Sequence, residues 1–388
     1  MSAAIIGWSH GRFGRHPEHD SESLMNEVIG AALTDAGVEA DTIDEVFVGM
    51  FNSGLSRQDF PSGLVLQAHP GLRYKPVTRV ENACATGSAA VHLGARAVES
   101  GAARHVLVVG VEKMTERPGR EIGDILLRAG YVKEEADIPA GFAGVFGRIA
   151  DAYFARHGEQ IDALARIATK NHFNGAGNPY AQFRKPLPLA FCRDISEDNP
   201  IVAGPLKRSD CSPISDGAAA LVLASPEVAH HAAKAIRFRA RVHVTDYLPL
   251  SRRDASRLEG AAVAWQRAYA QAGIGLDDLD LVETHDCFTV AELMQYEAMG
   301  LTPVGAGRRA IEEGWTEKGG RLPVNPSGGL KSKGHPIGAT GVSMHVLCAM
   351  QLHGSAGEMQ VPGAALAGLF NMGGTGVANY VSVLERAR

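Results

Sequence analysis

The sequence predicts an α/β fold made of two similar halves with an inserted loop domain, and three observations predict it. Strand-like apolar runs alternate with helical stretches, the pattern of layered sheet and helix. Two short runs of small residues, 80–88 and 334–341, each form a turn that feeds a helix, which points to an internal duplication. Between about 119 and 206 the rhythm breaks into glycines, the polar run Lys133-Glu134-Glu135 and the turn-rich stretch 174–180. That segment reads as a partly helical insertion rather than core sheet.

The elements follow in order. Residues 1–7 hold a short first strand and lack the basic start and longer apolar core of a signal peptide. Residues 44–50 and 105–111 read as strands. Between them Ala85-Thr86-Gly87 opens a helix with Val91, Ala95 and Val98 at helical spacing, ended by Gly101. Residues 279–282 form an apolar strand that runs into Glu283-Thr284-His285-Asp286-Cys287-Phe288. A second helix over 341–353 sets Val342, Val346 and Met350 on one face, with Gly354 as its stop. Residues 363–370 and 378–384 close the chain as strands joined by the turn Gly373-Gly374-Thr375-Gly376. The first half then takes residues 1–118 and 207–235, the loop domain 119–206, and the second half 236–388.

The two turn-helix runs carry chemistry. Cys84 stands where backbone N–H groups point outward and the helix dipole favours negative charge, which is expected to lower the thiol pKa and make it a nucleophile. His335, in Gly334-His335-Pro336-Ile337-Gly338-Ala339-Thr340-Gly341, is a base for its proton. If the fold joins positions 84 and 335, they form an activated Cys/His pair for acyl transfer through a thioester. Each residue also has a plain structural reading, a small buried hydrophobe for Cys84 or Cys287 and a satisfied buried histidine for His285. Three such runs in one chain favour the chemical reading.

Composition bounds the function. With 388 residues, 45% hydrophobic and 21% charged, the chain is long enough for two core-bearing domains plus an insertion. A net charge of −5 without a Lys/Arg stripe gives no footprint for nucleic acid. No stretch approaches the roughly 18 apolar residues that span a bilayer, so no membrane partner is expected. Five scattered cysteines, Cys84, Cys192, Cys211, Cys287 and Cys348, show no C-x-x-C spacing. Neither a disulfide framework nor a metal site is indicated, and a cytoplasmic, reducing setting follows. Cys192, Cys211 and Cys348 are read as structural.

At these motifs the chain resembles the thiolase superfamily, and within it the sterol-carrier-protein thiolases. The resemblance covers nearly the whole length. It is carried by the Cys84 run, Ser209-Asp210-Cys211-Ser212-Pro213-Ile214-Ser215-Asp216-Gly217, the HDCF run at 285–288, Asn325-Pro326-Ser327-Gly328-Gly329 leading to GHPIGATG, and Asn371-Met372-Gly373-Gly374.

The resemblance implies a five-layered αβαβα fold whose insertion covers the pantetheine arm of coenzyme A. It implies an acetyl-CoA acetyltransferase or 3-ketoacyl-CoA thiolase, making or cleaving a C–C bond through an acyl-Cys84 intermediate, in fatty acid metabolism. Coenzyme A and acyl-CoA enter as substrates with no tightly bound cofactor, and the protein is a homodimer or homotetramer. Most thiolases carry a Cys-x-Gly run where Asn371 stands here. In the sterol-carrier-protein branch the HDCF cysteine serves instead, so Cys287 is the second acid/base. His285 and His335 fit one oxyanion hole, and the N–H groups of Cys84 and Gly373 the other. Ser327, Gly328, Gly329 and Asn371 are assigned to substrate binding. The Arg184-Lys185 and Lys207-Arg208 pairs read as solvated charges, with the phosphates of coenzyme A as the alternative. Two other functions stay open, a different condensing enzyme on this fold and an acyl-CoA-binding subunit without thiolase activity.

Overall fold

The computed structural model describes residues 2–387, which form a nine-stranded sheet and a two-stranded ribbon. The strands are β1 (Ala4–His10), β2 (Glu45–Gly49), β3 (Val77–Val80), β4 (His105–Glu112), β5 (Ile201–Ala203), β6 (Leu206–Lys207), β7 (Gly217–Ala224), β8 (Ile236–Thr245), β9 (Leu281–Thr284), β10 (Leu366–Gly373) and β11 (Ala378–Arg386). The large sheet runs β3-β2-β4-β7-β1-β8-β11-β10-β9, and β5 pairs with β6.

The duplication is explicit in the pairing. In the first half β1 is antiparallel to β7, β7 antiparallel to β4, and β4, β2 and β3 are parallel. In the second half β8 is antiparallel to β11, β11 antiparallel to β10, and β10 parallel to β9. A parallel bridge between Val282 and Val324 stands where the first half has β3. Within the sheet the halves join where β1 pairs with β8, Ala4 with Arg237 and Ile5 with Ile236 among the described residues.

Alternation along the strands fixes the layers. On β4, Leu107, Val109 and Val111 join Met25, Val28, Ile29 and Ala32 of the outer helix Ser21–Ala36, while Val106 and Val108 join the opposite core with Ala90, Val91 and Ala95. The helix Glu259–Ala272 covers β8 and β11 on the far side. Helices Thr86–Glu99 and Ile337–His353 fill the space between the half-sheets, which gives the expected five layers. The second of these is buried on nearly every side, with Met350 and His353 its only half-exposed residues, so the single apolar face expected from its sequence understates its packing.

These two central helices bring the motifs together. They cross at matching glycines of the two Ala-Thr-Gly runs: a Cβ on Gly87 would lie 2.7 Å from Val342 N, and one on Gly341 would lie 2.1 Å from Ser88 N. Only glycine lets the backbones approach this closely. Each run starts its helix at the contact, so the residues just before it, Cys84 and His335, converge.

After β4 the chain leaves the large sheet until β7; residues 113–216 form helices, loops and the β5–β6 ribbon, with helices Gly119–Leu127, Phe142–His157 and Ile161–Ala176 the longest. The last of these runs through Asn174–Ala176, which the sequence reads as turn. Gly175 is accommodated in the helix because it crosses helix Gly329–Lys333 there, where a Cβ would lie 2.1 Å from Ser332 Oγ. Among the described residues no helix is long and apolar enough to cross a membrane.

Candidate active site

Cys84, His285 and His335 meet at the ends of their elements. Their ligand-capable atoms all lie within 4.8 Å of one another. Cys84 sits two residues before helix Thr86–Glu99, after Ala83, whose φ of 48° is the left-handed region that a β-carbon disfavours. The turn is held by Thr86 Oγ1, which accepts from Asn82 N at 2.8 Å and donates to Ala83 O at 2.6 Å. His285 follows the end of β9, and its ring meets that of His335 edge-on at 5.0 Å.

Hydrogen bonds assign opposite roles to the two histidines. Thr340 Oγ1 donates its one proton to Pro336 O at 2.9 Å, so it accepts from His335 Nδ1 at 2.7 Å. His335 Nε2 is left as a bare lone pair, buried and without a partner among the described residues. Asn371 Nδ2 donates to Cys84 O at 3.2 Å, an acceptor only, which fixes the amide's orientation. The same NH₂ donates to His285 Nδ1 at 2.9 Å, so the His285 proton sits on Nε2, also buried without such a partner. In these tautomers His335 Nε2 presents a lone pair and His285 Nε2 a proton. The trio is also the one set among the described residues close enough to hold a metal ion, but the proton on His285 Nε2 occupies the position a metal would need.

Burial, not the helix dipole, sets the protonation states. Desolvation pushes the Cys84 thiol up to about 12, against lowering by the backbone N–H groups of Gly374 and of Cys84 itself. The expected lowering is overturned because a helix terminus is worth up to about 2 kcal/mol, whereas full burial shifts a group by as much as ~3–5 pKa units. Burial, with Lys333, lowers His335 to about 3. The resting pair is therefore neutral thiol and neutral imidazole. Cys287 is 4% exposed, and its pKa is raised well above the ordinary thiol value by burial and then by neighbouring Cys84.

Glu112 ties the parts together. Fully buried, it accepts from the N–H groups of Phe51, Asn52 and Gly338, each at 2.9 Å, and so joins the end of β2 to the start of helix Ile337–His353. Burial raises its pKa to about 7. Nothing in its local sequence marks this residue, since its three partners come from distant segments.

A cavity of about 710 Å³ opens on Cys84, Cys287 and His335. Its walls are mostly apolar and come from both halves and from the insertion, including Met114, Ile122, Phe142, Phe183, Phe288 and Ile337. Cys211, expected to be structural, also lines it.

The Ser327–Gly329 run, expected to bind substrate, does not line this cavity. Ser327 Oγ donates to Glu283 at 2.7 Å, and Gly328 packs on Gly175 and Asn171. Gly329 packs on Asp286, whose carboxylate accepts from Leu330 N at 2.6 Å and Asn171 Nδ2 at 2.7 Å. The run thus positions helix Gly329–Lys333 behind the site. Asn371 is likewise fully buried and orients His285 rather than facing the cavity. Gly373 walls a second recess of about 700 Å³ with Asn82 and Ala83, and the N–H set against the sulfur is that of Gly374, one residue on. Of the basic pairs, Lys207 is buried in an ion pair with Asp210 at 3.0 Å, Arg208 lines the cavity, and Arg184 and Lys185 are exposed outside it.

Comparison with known proteins identifies the family. Residues 3–227 match the thiolase N-terminal domain and residues 243–386 the thiolase C-terminal domain-like family. The chain is 36% identical to an acetyl-CoA acetyltransferase of Methanothermobacter thermautotrophicus, over 99% of each chain. It is 33% identical to sterol carrier protein 2 of Homo sapiens, over 93% of this chain and 67% of that one. Among solved structures, the Ltp2-ChsH2(DUF35) aldolase matches with a TM-score of 0.83 at 24% identity, covering 100% of this chain and 98% of that one, a likeness of fold. With the duplicated sheet, the two crossing helices and both domain matches in place, the chain belongs to the thiolase family.

Proposed function

We propose that the protein is an acetyl-CoA acetyltransferase or 3-ketoacyl-CoA thiolase working through an acyl group on Cys84. The observation that carries this reading is the opposed tautomers of His335 and His285 around one thiol. In the cleavage direction, Cys84 Sγ attacks the 3-keto carbon while His335 Nε2 takes the thiol proton. The oxyanion forms against His285 Nε2–H or the N–H groups at Cys84 and Gly373-Gly374, a donor set worth about 3 kcal/mol per hydrogen bond in the transition state.

The Cα–Cβ bond then breaks, and Cys287, a protonated thiol at rest, gives its proton to the departing enolate carbon, releasing acetyl-CoA. Free coenzyme A next passes its thiol proton to the Cys287 thiolate and attacks the acyl carbon. The Cys84–acyl bond breaks, and Cys84 recovers its proton from His335. All groups return to their starting states, and the same steps reversed give condensation.

The insertion over 119–206 covers the coenzyme A arm in this reading, supported by its residues Ile122, Phe142, Gln182 and Phe183 in the cavity wall. Coenzyme A and acyl-CoA are substrates, with no tightly bound cofactor. A homodimer or homotetramer is supported by Phe60 and Tyr74, 74% and 84% exposed, near the open edge of β3. Five free thiols suit a reducing, cytoplasmic setting, and the apolar walls suit fatty acid metabolism.

Intact mass after brief incubation with acetyl-CoA tests the reading, followed by acetoacetyl-CoA plus coenzyme A with product analysis. The expected result is one acetyl adduct on the wild type, absent in Cys84→Ser, and acetyl-CoA from thiolysis. No adduct with any acyl-CoA would overturn it in favour of a binding subunit.

A further inference from the structure

The cavity holds a buried cation that the chemistry above leaves idle. Lys331 is 3% exposed yet lines the cavity wall. Three of the other buried lysines each hold a carboxylate, Lys170 with Glu292 at 2.5 Å, Lys113 with Asp216 at 2.7 Å and Lys207 with Asp210 at 3.0 Å. Lys333 donates to Ser343 Oγ at 2.8 Å and lies beside Glu283. Lys331 makes no ion pair among the described residues, and its ammonium has one hydrogen-bond partner there, His172 Nε2 at 3.3 Å. The two carboxylates whose charge acts on it are already engaged: Asp210 by Lys207 and Thr289, Asp286 by Asn171 and the backbone of helix Gly329–Lys333. His172 thus occupies one of the three ammonium hydrogens, and no carboxylate among the described residues neutralises the charge, an arrangement that a ligand carboxylate would match.

Its place along the cavity identifies the ligand. The Cys211 segment runs beside Cys287, with Ser212 N donating to Cys287 O at 2.9 Å and Cys211 bridging to Phe288. Cys84, Cys287, Cys211 and Lys331 thus line one cavity, with Phe288 and Phe142 among its walls. The other two cations of the cavity, Arg15 and Arg208, are solvent-exposed. A multiply charged phosphate suits those exposed guanidiniums. One buried ammonium suits one carboxylate, since burying a second negative charge there would be unmatched. Resting on Cys84 as the acyl carrier, we propose that the preferred acyl group ends in a carboxylate, held by Lys331 in the wall of the same cavity.

The test compares straight-chain acyl-CoA thioesters of equal length ending in methyl or in carboxylate, for example butanoyl-CoA and succinyl-CoA, or pentanoyl-CoA and glutaryl-CoA. The rate of Cys84 acylation is read by intact mass. The wild type is expected to favour the carboxylate member of at least one pair. Lys331→Met is expected to cut that preference about tenfold to hundredfold, the range of a buried charged hydrogen bond. Because Lys331→Arg keeps the charge, it is expected to retain part of the preference. Acetyl-CoA acylation, which offers no terminal carboxylate for Lys331 to hold, is the control and is expected to change by less than about threefold in both variants, since no charged hydrogen bond is lost there. If acetyl adducts form but the preference is missing or is the same in Lys331→Met, the carboxylate subsite is overturned and the thiolase reading stands. If no acyl-CoA labels Cys84, the thiolase reading itself falls.

Discussion

Asn371 stands where most thiolases place a catalytic cysteine, and replacing it by aspartate tests the tautomer argument directly. The Asn371 amide donates to His285 Nδ1 at 2.9 Å and to Cys84 O at 3.2 Å, while its Oδ1 accepts from Ser88 Oγ at 2.8 Å. Asn371→Asp keeps the shape and the Ser88 contact but removes both donors. The ionised carboxylate draws the His285 proton to Nδ1, so Nε2 loses the hydrogen that the proposed mechanism offers to the oxyanion. Loss of one such donor costs about 3 kcal/mol, or about a hundredfold in kcat, with KM little changed.

The pH dependence has a definite sign. When protonated, the introduced carboxyl group can again donate to His285 Nδ1, and burial holds its pKa above the ordinary value of about 3.9. The deficit relative to wild type therefore shrinks as pH falls and deepens as pH rises. Thiolysis of acetoacetyl-CoA, followed by loss of its enolate absorbance across the range in which a buried carboxyl titrates, about pH 5 to 9, reads both effects. A variant within about threefold of wild type at neutral pH, with thermal stability intact, would refute the assignment of His285 as a donor, because a lost oxyanion donor costs far more than that.

Three further outcomes follow from the same geometry. Because burial pushes Cys84 up to about 12 and His335 down to about 3, alkylation of Cys84 by iodoacetamide should keep rising through neutral and mildly alkaline pH, as the thiolate fraction does below its pKa. A plateau already reached near neutral pH would instead reveal a resting thiolate–imidazolium pair. Thr340→Val removes the acceptor that holds the His335 proton on Nδ1 and should lower kcat about tenfold through the wrong tautomer; an unchanged kcat would refute that role. Excess Zn²⁺ should inhibit reversibly by competing for the Cys84 thiol and His335 Nε2, with protection of Cys84 from alkylation as the readout and chelator restoring both activity and labelling; inhibition without protection would place the ion elsewhere.

Sequence alone determined what depends on neighbours along the chain. The turns before Cys84 and His335, the helices they start, the αL glycine stop at Gly354 and the alternating strands all arise within a few residues. The paired Ala-Thr-Gly runs even announced the duplication, because the close crossing of two helices requires small residues at both contact points.

Only the tertiary structure decided the states of the groups. Local sequence placed Cys84 at a helix start and so suggested an acidic thiol. The opposite holds because the sheets, the insertion and the second half exclude water from it. Asn371, Glu112 and Thr340 act through hydrogen bonds that in the first two cases span 60 residues or more. That Lys331 lines the cavity while the Ser327–Gly329 run does not has the same reason. Which face of helix Gly329–Lys333 meets Asp286, and which meets the cavity, is set by the packing of Ile161–Ala176 across it, a contact between segments far apart in the chain that no local pattern encodes.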